Sequence, residues 1–267
     1  MAKIRVCVAG ATGWVGRSLI PAIINSPDLE LVGAVSRSSA GKDLGEILNL
    51  PDFSLIVTGG VRDAIKVQTD VLIDYTSPFS VKSNVISAIG SGVHVVVGAS
   101  GLSDEDYAEI DSESRKKGVG VIAAGNFAIS AALLLHFSTL AAKYMTNWEI
   151  IDYASWDKID SPSGTARELA FRMSMAGSPS VKIPVNQIEG VKESRGATLN
   201  GNQIHSIRLP GHTIGAEILF GRSDERLSIK YDGGSGAEPY IEGTLLAVRH
   251  IMNVRGLTRG LDKLLEL

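Results

Sequence analysis

The sequence predicts an α/β protein of two domains, a doubly wound parallel sheet followed by a smaller α+β domain. Three observations predict it. The first half alternates short apolar runs with helix-length amphipathic segments, the rhythm of parallel strands joined by crossover helices. A glycine-spaced turn, "VAGATGWVG", joins the first apolar run to the first amphipathic segment. From Trp148 onward the texture becomes β-rich, so the second half does not repeat the first. A chain of 267 residues is large for one core and comfortable for two.

In order, strands are expected in "KIRVCVAG", "LELVGAVSR", "DVLIDYT", "GVHVVVGAS" and "GVGVIAAGNF", with stretches such as "WVGRSLIPAIINSP" and "SVKSNVISAIGSG" as helices between them. A mixed domain begins near Asn126, with a helix around Leu133 to Tyr144 and another following Pro162. Its strands are expected in "WEIIDYAS", "NQIHSIRLPG", "GAEILFGRSD" and "ERLSIKYDG". The closing segment "EPYIEGTLLAVRHIMNV" spaces Leu and Val for one packed helical face, which can return to the first domain.

Composition removes some partners. With 44% apolar residues and a formal charge of −3, there is no basic excess to attract nucleic acid or an anionic membrane. The one cysteine, Cys7, lies in an apolar run and has no partner for a disulfide, which reads as an intracellular chain. The start runs straight into a strand without a signal-peptide core, and no apolar stretch reaches the roughly 18 residues of a membrane span. The cytoplasm is the expected location.

Gly10, Gly13 and Gly16 follow the first strand at once and open the first helix. With Thr12, Trp14 and Val15 they form a turn whose bare amides and helix N-terminus can face a pyrophosphate, the Rossmann-like arrangement. The G-x-x-G-x-x-G spacing departs from the strict dinucleotide fingerprint, so a turn without a ligand is the alternative. After the second strand, where an NAD-binding protein often carries an acid, stand Ser36 and Arg37, with Lys42 close behind. A hydroxyl and a guanidinium suit the 2′-phosphate of NADPH more than the bare ribose of NADH, although a loop arginine is often only a surface charge. Two further strand ends place Tyr75, Thr76, Gly98, Ala99 and Ser100 where ligands collect in such sheets; tight turns are the other reading.

In "IIDYASWDKIDSPSGTAREL", the turn from Pro162 through Ser163 and Gly164 to Thr165 stands directly before a helical run, with Lys158 four residues before Pro162. Backbone amides and hydroxyls there can converge on a carboxylate. An N-cap beside a surface lysine explains the same letters.

These residues carry a resemblance to the dihydrodipicolinate reductase family, also called 4-hydroxy-tetrahydrodipicolinate reductases. "VAGATGWVGRSLI", "DVLIDYTSP", "VVVGASGL", "AAGNFAIS", "KIDSPSGTA", "RGATLNGNQIHSIRLPG" and "LLAVRHI" fall in family order along nearly the whole chain. The resemblance implies a dinucleotide-binding domain from residues 1-126 plus 237-267, and a substrate-binding and oligomerisation domain with an open mixed β-sheet from residues 127-236. It also implies a homotetramer or homodimer, reduction of a cyclic imine by NAD(P)H on the route to diaminopimelate and lysine, and a cofactor set that extends to Ala124, Asn126 and Phe127.

The family segment reads His-His-x-x-Lys-x-Asp-x-Pro-Ser-Gly-Thr-Ala, with a histidine proposed as proton donor. This chain keeps Lys158, Asp160 and Pro162 to Ala166, but has Ala154 and Ser155 in place of the histidines. The family's C-terminal arginine is replaced by Ala237 and Glu238, while Arg195 remains. A substrate that arrives as an iminium needs no enzyme acid. If one is needed, Lys158 is the retained candidate, followed by Asp157, Tyr153 and Asp152. Ser155, Trp156, Lys158, Ser163, Gly164 and Thr165 make up the expected substrate set, Trp156 either stacking on a flat ligand or packing.

The expectation is therefore an NADPH-preferring imine reductase, with NADH also accepted, whose small-molecule substrate is a cyclic or aromatic imine of specialised biosynthesis. The alternatives are a 4-hydroxy-tetrahydrodipicolinate reductase of the lysine route and an inactive nucleotide-binding sensor on the same scaffold.

Overall fold

A computed structural model describes residues 2–265. The chain forms two compact units, one holding residues up to Ile129 together with those from Ala237 onward, the other Ser130–Gly236.

The first unit begins β1 (Ile4–Ala9), α1 (Trp14–Ile24), β2 (Leu29–Val35), α2 (Leu44–Leu48), α3 (Val61–Ala64), β3 (Val71–Asp74), α4 (Val81–Gly90), β4 (His94–Val97), α5 (Asp104–Lys117) and β5 (Gly120–Ala123). The central strands read as unbroken apolar runs because both faces of the sheet are covered. On one face Cys7, Leu72, Val95 and Val121 pack with Val85 and Ile89 of α4 and Ile110 of α5. Burial pushes the Cys7 thiol up to about 12, so it is a small apolar packing group rather than a nucleophile. The helix α1 buries Gly16, Leu19, Ile20 and Ile23, a single stripe at helical spacing. The helix α5 starts with a capping box between Ser103 and Asp106 and ends in Arg115, Lys116 and Lys117, charges that complement the helix dipole at both ends.

The second unit contains α6 (Ile129–Ala142), β6 (Trp148–Ala154), α7 (Gly164–Ala176), β7 (Ala197–Leu199), β8 (Asn202–Arg208), β9 (Ile214–Arg222) and β10 (Glu225–Gly233). Its sheet has the order β10-β9-β6-β8-β7. Only the β6–β8 pair is parallel, so the sheet is mixed. The helix α6 starts earlier than its expected position at Leu133. The Asn126 side chain accepts the Ala128 amide at 2.8 Å, a local bond that shapes the turn leading into the helix.

The chain then returns to the first unit through α8 (Pro239–His250) and β11 (Gly256–Arg259). The first sheet is completed as β11-β5-β4-β3-β1-β2, every pair parallel. The strand order reverses around β1, which lies between β2 and β3, and that is where open α/β sheets form a ligand crevice.

Candidate active site

Gly10 follows β1 with φ +85°, and a side-chain carbon there would lie 2.4 Å from the Tyr75 carbonyl oxygen. At Gly16 such a carbon would lie 2.2 Å from the Gly10 carbonyl oxygen. Neither position admits a larger residue unless the backbone moves. The turn closes through the Gly13 amide, which donates to the Gly10 carbonyl at 2.9 Å. Gly13 caps α1 without a side-chain acceptor, so the leading amides of the helix remain available to an anion. Arg17 Nε donates to the Thr12 carbonyl at 3.0 Å and steadies the turn from outside.

A cavity of about 420 Å³ opens beside the turn. Gly10, Thr12, Gly13, Ser36, Arg37 and Thr76 of the expected cofactor set line it, joined by Ser38, Gly59, Gly60, Ser77, Ser80 and Asn84. The Thr12 and Ser36 hydroxyls are 2.7 Å apart, and those of Ser36 and Ser38 3.3 Å. A cavity lined by this chain of hydroxyls, by Arg37 and by the glycine turn fits a dinucleotide carrying a 2′-phosphate.

Asp74 is the residue that sequence reasoning missed here. It is fully buried, and it accepts the Thr76 amide at 2.9 Å, the Thr76 hydroxyl at 2.6 Å and Asn84 Nδ2 at 2.8 Å. Burial raises its pKa against the opposing effect of those bonds. It holds two cavity-lining side chains in place. The visible signal was an acid ending an otherwise apolar strand, "VLID".

The other expected cofactor residues lie outside this lining. Trp14 packs edge-on against Tyr240 at 5.6 Å, and Val15 is half-buried. The Tyr75 hydroxyl bonds Thr244 at 2.7 Å and its ring meets Phe127 edge-on at 6.1 Å; burial raises the phenol's pKa. Gly98 lies against that ring. The Gly98 and Ala99 amides donate to the Asp74 carbonyl and the Ala124 amide to that of Val97, while Ser100 is exposed. Tyr75, Gly98, Ala99, Ser100 and Ala124 follow β3, β4 and β5, the strand ends where open α/β sheets collect ligands.

In the second unit, β6 buries Trp148, Ile150, Asp152 and Ala154 and turns Glu149, Ile151 and Tyr153 to the opposite face. Asp152 Oδ2 accepts the Ser163 amide at 2.8 Å, Arg208 Nη2 at 2.8 Å and the Ser206 hydroxyl at 3.1 Å. Arg208 Nη2 also donates to the Asp160 carbonyl at 2.9 Å. One buried ion pair thus fixes two points of the connection that carries Lys158. Ser163 caps α7, its hydroxyl accepting the Ala166 amide at 3.2 Å.

One donor expected to meet a ligand is therefore already engaged, the Ser163 amide, while the Ser163 hydroxyl oxygen serves the fold as an acceptor. The amides of Gly164 and Thr165 donate to no described residue and remain for a carboxylate. Lys158 Nζ lies 2.7 Å from Asp160 Oδ1 and holds that carboxyl below the usual range. The Ser155 carbonyl accepts the Lys158 amide at 3.1 Å. Asp157 is exposed, as is Trp156.

Tyr153 does not join this group. On the other sheet face its hydroxyl donates to Glu217 at 2.8 Å, its ring stacks on His212 at 5.2 Å, and Lys230 lies 4.8 Å above it. Burial and the Glu217 carboxylate push the phenol up to about 12. Strand alternation, which puts consecutive residues on opposite faces, separates Tyr153 from Asp152 and Ala154.

An open glycine turn at a topological switch point, with a hydroxyl-and-guanidinium pocket after the second strand, defines a nicotinamide-nucleotide oxidoreductase. Family comparison narrows the class. Residues 4–127 match the model for "Dihydrodipicolinate reductase, N-terminus" and residues 130–265 that for "Dihydrodipicolinate reductase, C-terminus". Proteins named 4-hydroxy-tetrahydrodipicolinate reductase are 38% identical in Desulfitobacterium hafniense, over 100% of both chains, and 35% identical in Moorella thermoacetica, over 100% of this chain and 99% of that one. The dipicolinate-bound dihydrodipicolinate reductase of Paenisporosarcina sp. TG-14 has a TM-score of 0.85 at 29% identity, covering 98% of this chain and 100% of that one. The chain belongs to the dihydrodipicolinate reductase family, NAD(P)H-dependent oxidoreductases acting on a C=N bond. Among the described residues, no helix is long and apolar enough to cross a membrane.

Proposed function

We propose that this protein reduces a carboxylate-bearing cyclic imine with NADPH as the preferred donor, and that the substrate is the lysine-route intermediate for which its relatives are named. One observation carries the reading. Lys158 lies on the short connection from β6 into α7, whose Gly164 and Thr165 amides open that helix, and Asp152 and Arg208 anchor the connection. That is the arrangement expected to hold a carboxylate. End-to-end similarity to named 4-hydroxy-tetrahydrodipicolinate reductases supports this substrate over the specialised one expected from the missing histidines.

NADPH, when bound at the glycine turn, supplies the hydride. The chain's own contribution is binding and orientation. The α1 amides would receive the pyrophosphate, Ser36, Ser38 and Arg37 the 2′-phosphate, and Lys158 with the α7 amides one substrate carboxylate. We assign the working form to a cytoplasmic homotetramer.

Ala154 favours a second reading, in which the imine is a different cyclic or aromatic iminium. This residue is fully buried and pairs in register with Arg208, so it offers neither a proton nor a charge where the family carries histidine. NADPH consumption with the enzymatically generated lysine intermediate, beside a panel of cyclic imines, separates the two. Turnover of the lysine intermediate at a specificity constant above that of the panel is the expected result. Preference for another imine, with feeble dipicolinate binding, would establish the second reading. NADPH binding without oxidation of any of them would leave a sensor.

A further inference from the structure

Three side chains at the start of α7 form a cluster of which the functional reading uses only Lys158. Asp160 lies between two cations, its Oδ1 2.7 Å from Lys158 Nζ and its Oδ2 3.6 Å from Arg167 Nη2. Arg167 sits in the first turn of α7 and folds back, its Nη1 donating to the Pro162 carbonyl. All three side chains are partly open to solvent, with 32%, 42% and 49% of Lys158, Asp160 and Arg167 exposed.

We infer that Arg167 is a second cationic ligand of the substrate carboxylate, and that the Asp160 side chain is a resident carboxylate which the substrate's own displaces. The inference rests on the reading that this cradle takes a carboxylate-bearing imine. Three points support it. Ion pairs this exposed are weak, so exchanging one carboxylate for another costs little. Two cations share a single anion, so the pair and its partner carry a net positive charge that suits an incoming carboxylate. The Asp160 backbone is secured separately, through the 2.9 Å bond from Arg208 Nη2 to its carbonyl, so its side chain can swing away while the connection keeps its shape. With the family's paired histidines replaced by Ala154 and Ser155, Arg167 supplies a positive charge by another route.

The consequence runs against ordinary expectation for a salt-bridge residue. Removing the Asp160 charge should strengthen ligand binding, because an internal competitor is lost. Titration calorimetry of the full-length protein with NADPH present, using pyridine-2-carboxylate and pyridine-2,6-dicarboxylate as probes, tests this without requiring turnover. Asp160→Asn should tighten pyridine-2-carboxylate binding on the order of two- to fivefold, and Arg167→Gln should weaken it by a similar factor. In the double variant the gain from Asp160→Asn should shrink, and at high salt both effects should fall toward zero. Arg167→Lys should recover part of the loss. Thermal unfolding of each variant would show whether the fold is kept, and the helical capping by Ser163 is untouched by either change.

Weaker or unchanged binding by folded Asp160→Asn would overturn the exchange, because Asp160 would then position Lys158 or stand apart from the ligand. Unchanged binding by Arg167→Gln would remove Arg167 from the cradle. Either failure leaves the proposed reductase function standing. Absence of binding of both pyridine carboxylates to the wild-type protein would instead overturn the cradle itself, and the exchange with it.

Discussion

At Arg37, the proposed preference for NADPH comes down to one side chain. The position after β2 carries no acid, and the linked hydroxyls of Thr12, Ser36 and Ser38 line the same cavity as Arg37. Arg37→Ala should therefore weaken NADPH on the order of tenfold while leaving NADH nearly unchanged, as fluorescence titration of both nucleotides would show; equal losses would mean that the arginine does not read the phosphate. That the glycine turn, Ser36 and Arg37 line one cavity was legible in the sequence, because glycine spacing and the residue after a strand are local signals. Asp74 was not, since its role comes from burial and from Asn84, ten positions away. Its raised pKa makes a pH prediction. The native state holds the Asp74 proton more firmly than the unfolded chain, so its contribution is fully present below the ordinary carboxylate pKa of about 3.9 and is lost as pH rises through the raised value. Asp74→Asn, which cannot ionise, should accordingly gain melting temperature relative to wild type as pH rises above about 4. A difference independent of pH would show that the buried carboxyl titrates normally.

At the scale of elements, the cradle depends on a contact that no local pattern announces. The start of α7 was legible from Pro162 and Ser163, and the structure keeps both readings of that segment, since Ser163 is an N-cap while the next two amides stay open. What fixes the preceding connection is Asp152 meeting Arg208 across the parallel β6–β8 pair, a register that only the folded sheet creates. The same limit applies to β7 and β11. They are three and four residues long and carry too few apolar letters to stand out, yet each closes the edge of a sheet. Arg208→Met leaves a fully buried Asp152 without its cation, a change that costs about 3–5 kcal/mol. Urea unfolding should show that loss, and NADPH affinity should be unaffected, because every residue assigned to the nucleotide lies in the other unit. A neutral effect on stability would mean that the ion pair is dispensable to the cradle.

For the whole molecule, the open chemical question is the source of the proton. Of five histidines, His94 is buried in the first sheet, where its Nδ1 accepts the Gly120 amide, and His250 lies in α8. His136 belongs to α6, His205 pairs with Glu149, and His212 stacks on Tyr153. Glu149 and Tyr153 face away from Asp152 and the cradle, so their histidines belong to the other side of the second sheet. Among the described residues, no hydrogen bond or ion pair joins a histidine to Lys158. The chemical step should then show no ionisation between about pH 6 and 7, where imidazole titrates, when hydride transfer is followed in a single turnover. The substrate nitrogen would enter already protonated, and the enzyme's task would be to hold a carboxylate and exclude other geometries. Lys158→Met should on this account raise the substrate dissociation constant and leave the single-turnover rate at saturation within a few-fold of wild type. The two roles of a lysine separate cleanly in that experiment. If the saturated rate collapses while binding is retained, Lys158 delivers the proton, and the loss of the paired histidines has moved the acid along the chain instead of removing the need for one.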